Sequence, residues 1–342
     1  METKKIRVGV NGYGTVGRRV ADAILKQPDM ELVGIAKLNP DYKAKAARKK
    51  GIEIFLVDES VAKDFQEKGI SVSGSLIDLL KKVDIIVDAT PGGKGAFYKD
   101  IYSKYNVKSV FQGGEKHSLT GLSFLGEYNF SEAAGKDSVR VLSCNTTGIS
   151  RLLWPLDGSI GVKKTRAVIA RRAFDPEENG NGPIDSVVLD PVGIPSHHAD
   201  DVKSLLPKTD IITMAYKVPT THMHLHSLLF TMNRVTTKEE VISVLKRQSR
   251  VSLVDSRDRI KSTSSLIEYA REIGRPRNDI YEVVVWEDSI KVDGDEVYLY
   301  AAINQEAIVV PENIDAIRAL SGKYTKQYSI ETTNKTLGIP GW

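Results

Sequence analysis

The chain has 342 residues, 41% hydrophobic and 27% charged, with a formal net charge of +4 and a single cysteine. That length gives room for about two domains whose cores need no disulfide or metal staple. One thiol excludes an intrachain disulfide, which fits a reducing, cytoplasmic setting. The 48 basic residues are spread among 44 acids, so no nucleic-acid partner is expected. No apolar run reaches the roughly 18 residues of a membrane span, and the N-terminus runs straight into a strand rather than a signal peptide.

The first 143 residues alternate strands and helices. Strands are expected at 6–10, 31–36, 54–57, 83–89 and 109–112, and helices at 16–26, 43–50, 75–81 and 96–105. Such alternation predicts a parallel sheet covered on both faces, and strands this apolar suit burial on both sides. The basic stretch at 43–50 falls on a helix and reads as a solvated face.

Gly12-Tyr-Gly14-Thr-Val-Gly17 follows the first strand and opens the first helix. The first glycine permits a tight turn, the second lets backbone approach a pyrophosphate, and the third lets helix and strand pack closely. The helix N-terminus then offers free N–H groups to the phosphates. Together these features predict a doubly wound, Rossmann-type domain for a nicotinamide dinucleotide. An acid is normally expected about 20 residues on, bonded to the ribose 2′-hydroxyl. Here the second strand ends Ala36-Lys37-Leu38-Asn39. An ammonium attracts a 2′-phosphate that a carboxylate would repel, so NADP is expected to be preferred over NAD. The bland alternative for Lys37 is a solvated surface residue.

Val139-Arg-Val-Leu-Ser143-Cys144-Asn145-Thr146-Thr147-Gly148 reads as a strand followed by a helix start, with Cys144 at the turn. The positive end of a helix dipole lowers a thiol pKa, and N–H groups there can hold a developing oxyanion. Most lone cysteines are inert small hydrophobes; the position of Cys144 favours a nucleophile.

After Cys144 the pattern becomes α+β with a mixed or antiparallel sheet. Strands are expected at 166–172, 211–218, 222–232, 282–290 and 297–303, the last two joined through Asp293-Gly294, and helices at 238–248 and 264–273. Thr237 and Glu240 have capping-box spacing, and Pro311 precedes a final helix at 312–320. The stretch 177–183 reads as a loop. His222-x-His224-x-His226 would place three rings on one strand face. That pattern can ligate zinc, but no acid or cysteine stands at companion spacing, so no metal is expected. Arg171-Arg172 and His197-His198 are candidate anion contacts, with one arginine facing the site.

Ser143-Cys144-Asn145-Thr146-Thr147 resembles the active-site signature of glyceraldehyde-3-phosphate dehydrogenases. Asn11-Gly12-Tyr13-Gly14-Thr15-Val16-Gly17-Arg18, Gln112-Gly113-Gly114-Glu115-Lys116-His117 and Pro219-Thr220-Thr221-His222-Met223-His224 resemble the archaeal-type branch, nearly end to end. The resemblance implies phosphorylating oxidation of D-glyceraldehyde 3-phosphate, with inorganic phosphate as co-substrate and NADP or NAD as cofactor. It implies Cys144 as nucleophile and His224 as base, with His222 a nearby competitor. It places Thr15, Val16, Gly114, Arg172 and Gln305 with the cofactor, and Ser143, Cys144, Asn145, His197 and His198 with the substrate. It further implies a homotetramer and three segments: 1–143 for the nucleotide, 144–310 for catalysis, and 311–342 returning to the first. Alternatives are a thiol-dependent semialdehyde or erythrose 4-phosphate dehydrogenase, or a non-catalytic nucleotide-sensing or RNA-binding protein on the same fold.

Overall fold

The computed structural model describes residues 4–174 and 185–341; the loop expected at 177–183 lies outside them. The chain divides into two compact units, residues 1–142 with 310–337, and 143–309 with 338–342.

The first unit opens with β1 (Ile6–Asn11), α1 (Thr15–Leu25), β2 (Met30–Lys37), α2 (Tyr42–Lys49) and β3 (Ile54–Leu56). It continues through α3 (Ala62–Glu67), α4 (Leu76–Leu80), β4 (Ile85–Asp88), α5 (Gly95–Lys104), β5 (Lys108–Phe111), β6 (Ser123–Phe124), α6 (Gly126–Asn129) and β7 (Ser138–Val141). All strands pair in parallel in the order β3-β2-β1-β4-β5-β7-β6. The central strands are buried nearly throughout, as their unbroken apolar runs require. Phe55, Leu79, Ile86, Tyr102 and Phe111 share one core. Strand order reverses between β1 and β4, which makes the loops at their carboxyl ends the place for a ligand in such a sheet.

Two C-terminal helices complete this unit. The first, Val310–Ser321, is buried along nearly its whole length, yet it carries Glu312, Asn313, Asp315 and Arg318. Each finds a partner: Glu312 accepts the Gly126 N–H at 2.6 Å, and Arg318 grips both Asp29 oxygens at 2.8 and 2.7 Å. The second, Lys326–Leu337, escapes a reading of apolar period because it docks through hydroxyls. Ser329 and Thr333 both donate to Asp315 at 2.7 Å.

The second unit contains α7 (Cys144–Ser159), β8 (Val162–Arg172), β9 (Val188–Leu189), α8 (His198–Lys203), β10 (Ile211–Val218), β11 (His224–Met232) and α9 (Lys238–Lys246). Then come β12 (Val251–Val254), α10 (Thr263–Glu272), β13 (Val283–Trp286), β14 (Lys291–Asp293) and β15 (Glu296–Ile303). The sheet is mixed, ordered β12-β13-β15-β11-β8-β10-β9, with β14 on β15. In β11 buried and half-buried residues alternate, and α7 packs on β8 and β15.

Two expected strands are shorter than their patterns. The segment expected at 222–232 enters the sheet only at His224, because Met223 takes a left-handed φ of 61°. His222 therefore lies outside the strand, and the three rings do not share one face. The segment expected at 282–290 breaks after Trp286 into a turn in which Ser289 donates to the Trp286 carbonyl. The hairpin partner of β15 through Asp293-Gly294 is thus the short β14, while β13 pairs with β15 antiparallel further along the same edge, opposite the edge taken by β11.

Candidate active site

Helix α7 begins at Cys144, with Ser143 at its N-cap and the Thr147 N–H bonded to the Ser143 carbonyl at 2.7 Å. Strand β11 delivers His224 to the sulfur, with Nε2 3.6 Å from Sγ. The other ring nitrogen, Nδ1, accepts the backbone N–H of Arg172 at 2.9 Å. Burial pushes the thiol up to about 11, against the pull of Arg171, Arg172 and the Asn145 N–H. The lowered thiol pKa expected from the helix terminus is therefore not found: desolvation outweighs the two arginines and the Asn145 N–H. Burial, reinforced by Arg172, holds the His224 ring well below its ordinary pKa, so the ring is neutral.

Beside the cysteine, Asn145 is wholly buried and fully engaged. Its Oδ1 meets His226 Nε2 at 2.8 Å and its Nδ2 meets His198 Nε2 at 3.1 Å. His198 Nδ1 then meets Ser196 Oγ at 3.0 Å, and Ser196 Oγ meets Thr213 Oγ1 at 2.7 Å. Burial holds His198 down to about 2 and His226 to about 3, so both rings are neutral members of this chain. His197 by contrast is exposed, its ring 4.0 Å from that of His198. Ser143 Oγ lies 2.8 Å from Thr146 Oγ1 and donates to Asp201 at 3.2 Å.

Both arginines act on Cys144. Arg172 is buried against Glu306 at 3.2 Å, while Arg171 pairs with Asp190 on a more open edge. Gln305 is half-buried beside that glutamate. The sequence reading missed Asp201, Glu306 and the Ser196–Thr213 pair; each is an ordinary polar residue whose role comes only from the fold.

In the first unit, Gly12 has φ +93°, and a Cβ there would lie 2.6 Å from the Ala89 carbonyl oxygen. A Cβ on Gly17 would lie 2.0 Å from the Gly12 carbonyl oxygen, whereas one on Gly14 would meet nothing within 4 Å. Two glycines are thus demanded by packing, and the middle one faces open space. Thr15 and Val16 open α1 half-buried, and Gly114 is exposed on the loop after β5. Lys37 is not a free cation: its ammonium lies 2.8 Å from Asp41 Oδ1. Among the described residues no three potential ligands gather to hold a metal, and no helix is long and apolar enough to cross a membrane.

Residues 143–289 match the family model for the C-terminal domain of glyceraldehyde 3-phosphate dehydrogenase, and 6–145 match that for the N-terminus of dihydrodipicolinate reductase. A glyceraldehyde-3-phosphate dehydrogenase of Metallosphaera sedula is 52% identical over 334 residues, 98% of each chain. The chain belongs to the glyceraldehyde-3-phosphate dehydrogenase family. Further members are equally collinear: that of Hyperthermus butylicus is 50% identical across 98% of each chain, and that of Methanococcoides burtonii 48% across 98% of this chain and 99% of its own. The reductase N-terminus match falls on the unit with the glycine turn, and the dehydrogenase C-terminal-domain match on the unit with the thiol.

Proposed function

We propose that this chain catalyses the phosphorylating oxidation of D-glyceraldehyde 3-phosphate with NADP or NAD, a reading supported by relatives named glyceraldehyde-3-phosphate dehydrogenase. The observation that carries the reading is the Cys144–His224 pair, Sγ to Nε2 at 3.6 Å, held at a helix start under two arginines. The ionised sulfur adds to the aldehyde carbon and gives a hemithioacetal oxyanion. The His224 ring is placed to stabilise both the thiolate and that oxygen, as the Asn145 N–H is. A nicotinamide held by this chain would supply the acceptor for the hydride that leaves the former aldehyde carbon. A thioester to Cys144 remains; a phosphate oxygen attacks it, the C–S bond breaks, and the sulfur is released.

The substrate phosphate and inorganic phosphate both need hydrogen-bond donors, which the Arg171 guanidinium and the exposed His197 ring supply in this reading. His198 contributes by fixing Asn145. Gly12, Gly14, Gly17, Thr15, Val16 and Lys37 hold the dinucleotide in this reading, with Arg172, Gly114 and Gln305 on its nicotinamide side. NADP preference follows from Lys37. A cytoplasmic homotetramer belongs to the same reading; exposed Ile212, Met214, Tyr298 and Tyr300 on the second sheet support self-association.

The test is reduction of NADP and of NAD by the protein with glyceraldehyde 3-phosphate and phosphate, beside Cys144→Ser. Phosphate-dependent reduction abolished in the variant is expected. Reduction that persists without phosphate, or in the variant, would overturn it.

A further inference from the structure

The adenosine end of the dinucleotide site poses a chemical problem. An acceptor for the ribose hydroxyls is absent from the end of β2, where Lys37 stands. Four residues on, Asp41 caps α2, and its side chain is oriented by an uneven set of donors. Oδ1 accepts the N–H groups of Lys43 and Ala44, each at 3.0 Å, and also the Lys37 ammonium at 2.8 Å. All three bonds fall on one oxygen. Oδ2 carries none of them, on a carboxylate that is one-third exposed, while the Lys37 side chain is only 8% exposed.

The surroundings keep this carboxylate ionised. Burial works against its charge, but the bonds from Lys37 and the Ala44 N–H outweigh that and hold Asp41 below the usual carboxylate range. Burial lowers the Lys37 ammonium, and Asp41 counters it. Arg18 on α1 and Lys43 are the further cations acting on this pair. The result is a locked acid beside a locked base, at the strand end where an adenosine ribose is read in doubly wound sheets.

We propose that Asp41 is the specificity-determining residue of this site: its Oδ2 accepts the adenosine ribose hydroxyl of NAD, and its Oδ1 restrains Lys37 from a 2′-phosphate. Resting on the dinucleotide reading above, this assigns each cofactor its own partner. NAD is bound through an acceptor and NADP through the ammonium, so the acid sets how far NADP is favoured. A 2′-phosphate brought to the pair meets attraction from Lys37 and repulsion from Asp41 together.

Asp41→Asn separates charge from structure, because asparagine caps a helix as well as aspartate. Calorimetric titration of NAD and NADP into the intact protein reads binding without turnover. Loss of a charged hydrogen bond predicts that the variant binds NAD about tenfold more weakly, while NADP affinity holds or rises. Lys37→Met should do the converse, weakening NADP and sparing NAD. Asp41→Ser, which also caps, guards against a folding defect of the first variant, and thermal unfolding of each checks the cap. Equal changes for both cofactors, or none, would overturn the role of Asp41 alone. No binding of either dinucleotide by the wild type would overturn the cofactor reading and this inference with it.

Discussion

The backbone N–H of Arg172 donates to Nδ1 of His224 at 2.9 Å. A backbone amide can only donate, so this bond fixes the ring: Nδ1 carries the lone pair, and in the neutral ring the proton sits on Nε2, facing the Cys144 sulfur. Protonating both nitrogens would set two N–H groups against each other. The resting ring is therefore a hydrogen-bond donor to the sulfur. The ¹⁵N spectrum of histidine-labelled protein should show His224 neutral with its proton on Nε2, identified by loss of its signals in His224→Gln. A proton on Nδ1, or on both nitrogens, would disprove this. In turnover, His224→Ala should lose about 10²- to 10⁴-fold in kcat, the range for a positioned proton-handling group, and more than His224→Gln, whose amide can still donate.

A half-buried thiol that desolvation holds up to about 11 predicts slow modification of the protein without added cofactor. The rate of iodoacetamide alkylation follows the thiolate fraction, so it should still be climbing at about pH 9 rather than levelling near the ordinary cysteine value of about 8.5. Arg171→Gln removes a cation that favours the thiolate and should slow the reaction further at any pH. A plateau by neutral pH would mean that the sulfur is far better solvated or paired than its burial indicates.

What the sequence disclosed and what it hid differ in kind. The glycine turn, the parallel alternation and the position of Cys144 were legible because each is a local rule: a backbone requirement, a hydrophobic period, a strand-to-helix turn. The resemblance favoured His224 over His222, but spacing alone did not separate them; the left-handed Met223 keeps His222 out of the strand. The pairing of Lys37 with Asp41 was hidden because an isolated lysine shows no partner. Glu306 and Asp201 were invisible for the same reason, and the raised thiol pKa was not foreseen because desolvation, a tertiary property, outweighs the neighbouring cations and N–H.

Three histidines are buried in the neutral form: His198 and His226 held down by burial to about 2 and about 3, and His224 well below its ordinary value. In the unfolded chain each returns to about 6.5. Between these limits the unfolded state binds protons that the folded state does not. Their contribution to stability is thus fully present above about pH 6.5 and is lost as pH falls toward the folded values. Each ring gives a slope of up to about 1.4 kcal/mol per pH unit, or about 4 kcal/mol for the three together. Urea unfolding of the second unit at several values from about pH 7 to 5 should show this loss. His226→Gln keeps a donor to Asn145 and should reduce the slope by about one proton's worth. A flat stability profile across this window would mean that the rings are protonated in the fold.

The glycine turn allows packing and binding to be separated by single methyl groups. At Gly17 an added Cβ would sit 2.0 Å from the Gly12 carbonyl oxygen, a contact with backbone that no side-chain rotation can relieve. Gly17→Ala must therefore push α1 away from the turn, and an overpacking cost of about 1–3 kcal/mol is expected in urea unfolding, together with lost cofactor binding. At Gly14 the same methyl meets no protein atom within 4 Å, so Gly14→Ala should unfold like the wild type. Its methyl instead occupies the space where backbone approaches the pyrophosphate. Calorimetry should show NADP and NAD weakened alike, because both carry that pyrophosphate, while the ratio of their affinities stays unchanged. If Gly14→Ala bound both cofactors normally, the open space at Gly14 would not be the pyrophosphate cradle, and the dinucleotide would have to lie elsewhere along the carboxyl ends of β1 and β4.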